Sequence, residues 1–277
     1  MLAQPMHAQE NVDFKGTSCV PVRTTTEEEL AFQDGEQMKF ILHYKWGSIN
    51  ADVGKANVSL EALKFNGHDA FKCTVHGRTT KLFDLFFKVR ENFVSWFTRE
   101  GLKPLKFTRV TYEGGYEASN TYLYRWDDPE PYIAADVYTS KMGQTSMQLP
   151  LTPCTYDLPA LFFFARNMDI ENVEPGRKYP MTFAIDDEVF NVYFILYGRE
   201  TIKVKGLGTV NAIRFAAKLL EGEVFKGEED MTIWVSDDEN RLPVYFEAPL
   251  RVGVAAGRLS GYEGLKYPFT ALITNKM

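Results

Sequence analysis

Trp234-Val-Ser-Asp-Asp-Glu-Asn-Arg-Leu-Pro-Val-Tyr-Phe246 reads as a β-hairpin written out in full. An aromatic strand end runs into a charged turn, and a proline opens the next strand. Asp and Asn favour such turns because their side chains bond the local backbone. About half a chain earlier, Trp96-Phe-Thr-Arg-Glu-Gly-Leu-Lys-Pro-Leu-Lys-Phe107 repeats the plan. Outward from these two hairpins, period-2 segments continue at 39–46, 54–60, around Cys73, and at 105–113, 116–126, 132–140, 178–186, 189–198, 201–205, 208–219, 230–236, 242–249 and 253–262. Asn66-Gly67, Gly114-Gly115, Asp127-Asp128-Pro129, Asp186-Asp187, Gly222 and Gly227 supply turn chemistry between them. Many short strands at this spacing predict an all-β sandwich or curved barrel.

Aromatic residues make up 14% of the chain, which favours half-buried pleated surface. Two segments break the alternation. Leu82, Leu85, Phe86 and Val89 fall at i, i+3, i+4, i+7, with Thr79 or Thr80 as N-cap. Leu158, Leu161, Phe162 and Ala165 repeat that spacing behind an Asp157 N-cap, with Pro159 in the first turn. Two short helices packing these stripes into the core are therefore expected. So few helices argue against a βαβ parallel sheet. The fold expected is a strongly curved sheet or incomplete β-barrel, built from two similar halves.

Residues 1–35 are irregular and polar and read as an arm on the surface. Their start is either a plain tail or the end of a secretory signal. The β-rich domain spans 36–277, with pseudo-repeats at about 36–150 and 151–277. The net charge of −6 and the absence of a Lys/Arg cluster argue against nucleic acid as a partner. No apolar run is long enough for a transmembrane helix. Of three cysteines, Cys73 lies in an alternating strand as a small buried hydrophobe. Cys19 and Cys154 sit in Thr- and Pro-bearing loops and are the natural disulfide pair in an oxidising compartment.

Chemistry is sparse. Trp234, Asp237, Asp238 and Arg241 suggest a ligand or cation site beside an aromatic, or a solvated hairpin tip. The earlier hairpin keeps Trp96, Glu100, Lys103 and Pro104 but lacks the paired aspartates, so the shared part is the part that builds a hairpin. Adjacent aspartates on a strand point to opposite faces, which works against a paired-carboxylate catalyst. The histidines lack zinc-ligand spacing, Gly206-Leu-Gly208 is too short for a dinucleotide loop, and no nucleophile elbow occurs. No catalytic residue and no cofactor is assigned.

Gly35-Glu-Gln-Met-Lys-Phe with Tyr44-Lys-Trp-Gly47, Phe86-Phe-Lys-Val-Arg90 leading to Ser95-Trp96, and Ile233-Trp-Val-Ser-Asp-Asp-Glu-Asn-Arg-Leu-Pro243 with Gly253 downstream give the chain a wider likeness. From about 35 to 265 it resembles the bacterial envelope proteins grouped as domain of unknown function 3108. Asp52-Val-Gly54 departs from that pattern, where small Ala-Gly fits better. The resemblance implies a β-rich, periplasmic or secreted protein and carries over no site residues. The function expected is non-catalytic binding of an apolar or envelope-derived ligand such as lipid, inside a cavity lined by Phe and Tyr. The alternatives are a structural or interaction protein meeting an envelope partner, and a carbohydrate-active enzyme.

Overall fold

A computed structural model describes residues 26–218 and 230–275. The strands form one sheet of sixteen. A first meander runs β1 (Gln37–Trp46), β2 (Ile49–Phe65), β3 (His68–Thr79), β4 (Val89–Thr98), β5 (Pro104–Glu113), β6 (Tyr116–Arg125), β7 (Tyr132–Thr139) and β8 (Gly143–Pro150). After the short β9 (Thr155–Tyr156) and the helix α1 (Leu158–Ala165), a second meander follows. It comprises β10 (Lys178–Ile185), β11 (Glu188–Val204), β12 (Gly208–Lys218), β13 (Asp230–Ser236), β14 (Pro243–Pro249) and β15 (Val254–Glu263), and β16 (Leu272–Asn275) then pairs with β12. β15 pairs antiparallel with β1, joining the meanders into a strongly curved sheet that, among the described residues, does not close by hydrogen bonds. The all-β expectation holds. Asn66 and Gly67 both take positive φ, as a tight hairpin turn between twisted strands demands.

The first expected helix is absent. Only Phe83–Leu85 form a single 3₁₀ turn, and Val89 already begins β4. Leu82, Leu85 and Phe86, expected in the core, are 72%, 78% and 80% exposed. The second helix forms where expected, with the Asp157 carboxylate accepting from the Ala160 amide at 2.9 Å. Its buried face is a different one. Pro159, Ala160, Phe163 and Phe164 are buried, whereas Leu158 is exposed. A helix with no polar face offers no periodicity to say which side turns inward.

Among the described residues, the inside of the curved sheet around α1 is packed by the chain itself. Phe163 meets Phe32 and Phe97 edge-on or tilted, and Phe32 meets Phe71. Leu30, Ala31 and Phe32 are buried in this cluster, so the last residues of the N-terminal arm enter the core. They are locked there by Arg166, whose guanidinium forms a bidentate pair with buried Glu36 and donates to the carbonyls of Ala31 and Asn240. Asn167 completes the clasp by accepting from the Ala31 amide at 2.9 Å. A buried pair of this kind is tolerable because every donor and acceptor around it is matched.

Register defines the inner face. Leu60, Cys73, Ser95 and Phe107 form one inward row across β2 to β5, followed by Val58, Val75, Phe93 and Arg109, and then Ala56, Gly77, Glu91 and Thr111. The lining thus changes from apolar to polar toward one end. There Arg109 pairs with Asp186 of the β10–β11 turn, which also receives Asn120 at 3.0 Å. Tyr122 donates to the Asp186 carbonyl at 2.6 Å. These contacts bring the free flank of the first meander against the second, over a smaller core containing Phe107, Tyr122, Ile133 and Ala184.

Candidate functional site

Antiparallel pairing places alternate hairpin tips on one rim. The turns β1–β2, β3–β4, β5–β6, β7–β8, β10–β11 and β14–β15 share an end of the sheet. On or beside these turns lie eight exposed large hydrophobics: Trp46, Ile49, Leu82, Leu85, Phe86, Phe87, Met142 and Val252. None of the exposed large hydrophobics among the described residues lies on a strand–strand turn of the opposite rim. Seven of the eight belong to three turns adjacent in the sheet, β3–β4, β1–β2 and β14–β15, counting Trp46 and Ile49 at the strand ends.

These tips are built to be held out. Gly253 has φ +80°, and a Cβ there would collide with the Lys45 carbonyl and the Trp46 side chain. Tyr44 donates to the Val252 carbonyl at 2.9 Å. The β1–β2 and β14–β15 tips are therefore pinned together. At the neighbouring tip, Asp84 pairs bidentately with Arg90 and accepts from Thr79, closing the 80–90 loop at its neck. Hydrogen bonds from Arg90 and Thr79 hold the Asp84 carboxyl at about 2, well below its usual value. Gly114 packs directly on the Phe87 ring, which anchors the loop while Leu85 and Phe86 project. Lys45, Lys81 and Lys88 punctuate the same tips, and Lys88 lies over the Tyr112 ring at 5.0 Å.

The sequence-selected hairpin lies at the opposite rim. Asp237 accepts from Arg241 at 3.1 Å and from Arg199 at 3.0 Å. Asp238 accepts from Ser236, from the Asn240 amide and from the Ala271 amide. Trp234 donates to Glu200 at 2.7 Å and packs on Tyr245. Asn240, fully buried, donates to the carbonyls of Tyr267 and Pro268 and passes its own carbonyl to Arg166. All four carboxylate oxygens have partners within the chain, and their geometry latches the C-terminal segment to the core. Cys154 is disulfide-bonded and Cys73 is a buried free thiol, while Cys19 lies outside the described residues.

Two interior acids have raised pKa values. Asp157 accepts from Ser95 at 2.9 Å and from Tyr124 at 3.4 Å, and burial raises its pKa to about 7. Burial, together with the neighbouring Glu113 carboxyl, raises Glu91 to about 8. Both therefore keep their protons to higher pH than ordinary carboxyls do. No group of three or more candidate metal-ligating side chains occurs among the described residues.

The comparisons agree with this architecture. The model of the family "Protein of unknown function (DUF3108)" matches residues 17–260. The chain belongs to this family. No curated protein matches it. Among solved structures, it is similar to the β-barrel-like protein of domain of unknown function DUF1849 from Brucella abortus. That match has a TM-score of 0.53 at 10% identity, covering 90% of this chain and 100% of that one. A structure named as a putative lipoprotein of Parabacteroides distasonis aligns over 89% of this DUF3108 chain and 100% of its own, at 11% identity and a TM-score of 0.26. The first likeness supports the fold alone.

Proposed function

We propose that this DUF3108 protein is a non-catalytic docking protein of the cell envelope whose apolar rim meets an anionic lipid surface. The observation that carries the reading is the clustering of exposed Trp46, Ile49, Leu82, Leu85, Phe86 and Val252 on three neighbouring tips. Exposed apolar groups concentrated in this way mark an interaction surface. An apolar partner inside the sheet would have to displace α1 and the Leu30–Phe32 segment, so the rim is the accessible place to meet one. Lipid is favoured over a protein partner by the lysines set among the apolar tips, since the chain as a whole carries −6. Apolar side chains with cations between them suit a headgroup boundary. Among the described residues no helix is long and apolar enough to cross a membrane. Contact with the surface is the role proposed.

Fully burying a Leu or Phe side chain contributes about 1.5–3 kcal/mol. Leu82, Leu85 and Phe86 are about three-quarters exposed, so together they offer about 5 kcal/mol to a bilayer. Each nearby Lys adds about 1 kcal/mol on an anionic surface. The test is flotation with phosphatidylcholine vesicles containing phosphatidylglycerol, comparing the wild type with Leu85→Ser/Phe86→Ser. The wild type floats and the variant stays behind. Equal flotation refutes the rim. Concentration-dependent self-association without flotation reassigns the rim to a second copy of the chain.

A further inference from the structure

Below the β3–β4 tip, the outer face of β2 to β5 forms an open trough of about 540 Å³. Register places Lys55, Arg78, Arg90 and Tyr112 side by side across its four strands, and Asn57, His76, Asn92 and Val110 in the next row. The first row is unusual. Lys55 is directly opposite Arg78, and Arg78 is directly opposite Arg90. Like charges directly opposed across strands destabilise a sheet. Only Arg90 has an acid, Asp84; Lys55 and Arg78 form no ion pair among the described residues. Glu91 borders the trough, but its side chain belongs to the inward row and is hydrogen-bonded there by Thr111, so it does not pair with these cations. Three opposed cations with one counter-charge, flanked by the side-chain amides of Asn57 and Asn92, give the trough a cationic, hydrogen-bonding lining. Guanidinium forks and side-chain amides match the oxygens of a phosphate.

We propose that this trough binds a phosphate group, and that its source is the headgroup of an anionic lipid in the surface that the rim meets. The inference deepens the docking reading and rests on it for the source of the phosphate. The trough lies beside the 80–90 loop, whose neck is formed by Arg90 itself. A bilayer engaged by Leu85 and Phe86 would thus bring its phosphates to Lys55 and Arg78.

The experiment compares the wild type with Lys55→Gln/Arg78→Gln, two surface changes that leave every ion pair of the fold intact. One arm follows backbone amide shifts of residues 55–57, 76–78 and 90–92 during titration with glycerol 3-phosphate. The other measures partition into phosphatidylcholine vesicles with and without phosphatidylglycerol. Shifts confined to these strands in the wild type and absent from the variant, with a roughly thirty-fold loss of the preference for phosphatidylglycerol, are expected, at about one decade or less per cation. Shifts that vanish while the lipid preference survives overturn the lipid source and leave a site for free phosphate. No shift and an unchanged preference overturn the trough altogether. Trough shifts in a wild type that binds no vesicle refute the docking reading and not the anion site.

Discussion

Replacing Asp157 by asparagine will flatten part of the pH dependence of folding stability. The carboxyl is fully buried, caps α1 through the Ala160 amide and receives hydroxyls from Ser95 and Tyr124. Burial dominates and raises its pKa from 3.8 to about 7. In the unfolded chain the proton is gone above about pH 4, whereas the folded protein keeps it until about pH 7. The folded state therefore binds more protons across that window, and stability falls as pH rises through it. Two pH units separate pH 5 from the folded value, at 1.36 kcal/mol each, giving a loss of about 2.5 kcal/mol between pH 5 and pH 8. Asparagine keeps the cap and the shape and cannot ionise. Glu91 titrates in the same direction, so the quantity to measure is the difference between wild type and Asp157→Asn in urea unfolding at the two pH values. That difference should shift by about 2.5 kcal/mol against the wild type at the higher pH. Parallel pH profiles would refute the buried-acid assignment.

Three further outcomes are expected. Arg166→Met leaves Glu36 buried without its partner and should cost about 3–5 kcal/mol in chemical denaturation; a loss below about 1 kcal/mol contradicts the clasp. Asp238→Ala removes acceptors from Ser236, Asn240 and Ala271 and should lower stability by about 2–3 kcal/mol while vesicle flotation is unchanged; lost flotation in a folded variant would return the Trp234 hairpin to candidacy. Alkylation of denatured, unreduced protein followed by mass spectrometry should label Cys73 and spare Cys19 and Cys154, and labelling of Cys19 would reject that pair.

Most strands were legible because alternation and turn chemistry agreed, as at Tyr116–Arg125 and Pro243–Pro249. β4 was hidden because its inward residue near the rim is Glu91, a polar group where apolar alternation was sought. The spacing of Leu82, Leu85 and Phe86 imitated a helix face. Spacing counts apolar residues but does not say that they are buried, and these are held out on a loop closed by Asp84 and Arg90. The tip of the Trp234 hairpin stood out locally for its acids, yet their partners Arg199 and Ala271 are distant in sequence. The rim and the cationic row depend on register across many strands, so no single segment announces either.

Hydrogen exchange of the unmodified protein, with and without phosphatidylglycerol-containing vesicles, tests the central claim most directly. Docking through the apolar rim predicts new protection at 46–49, 81–88 and 250–253. It predicts none at the opposite turns 99–103, 126–131 and 237–242. Protection of the opposite turns, or an unchanged pattern on vesicles that bind the protein, would contradict the account.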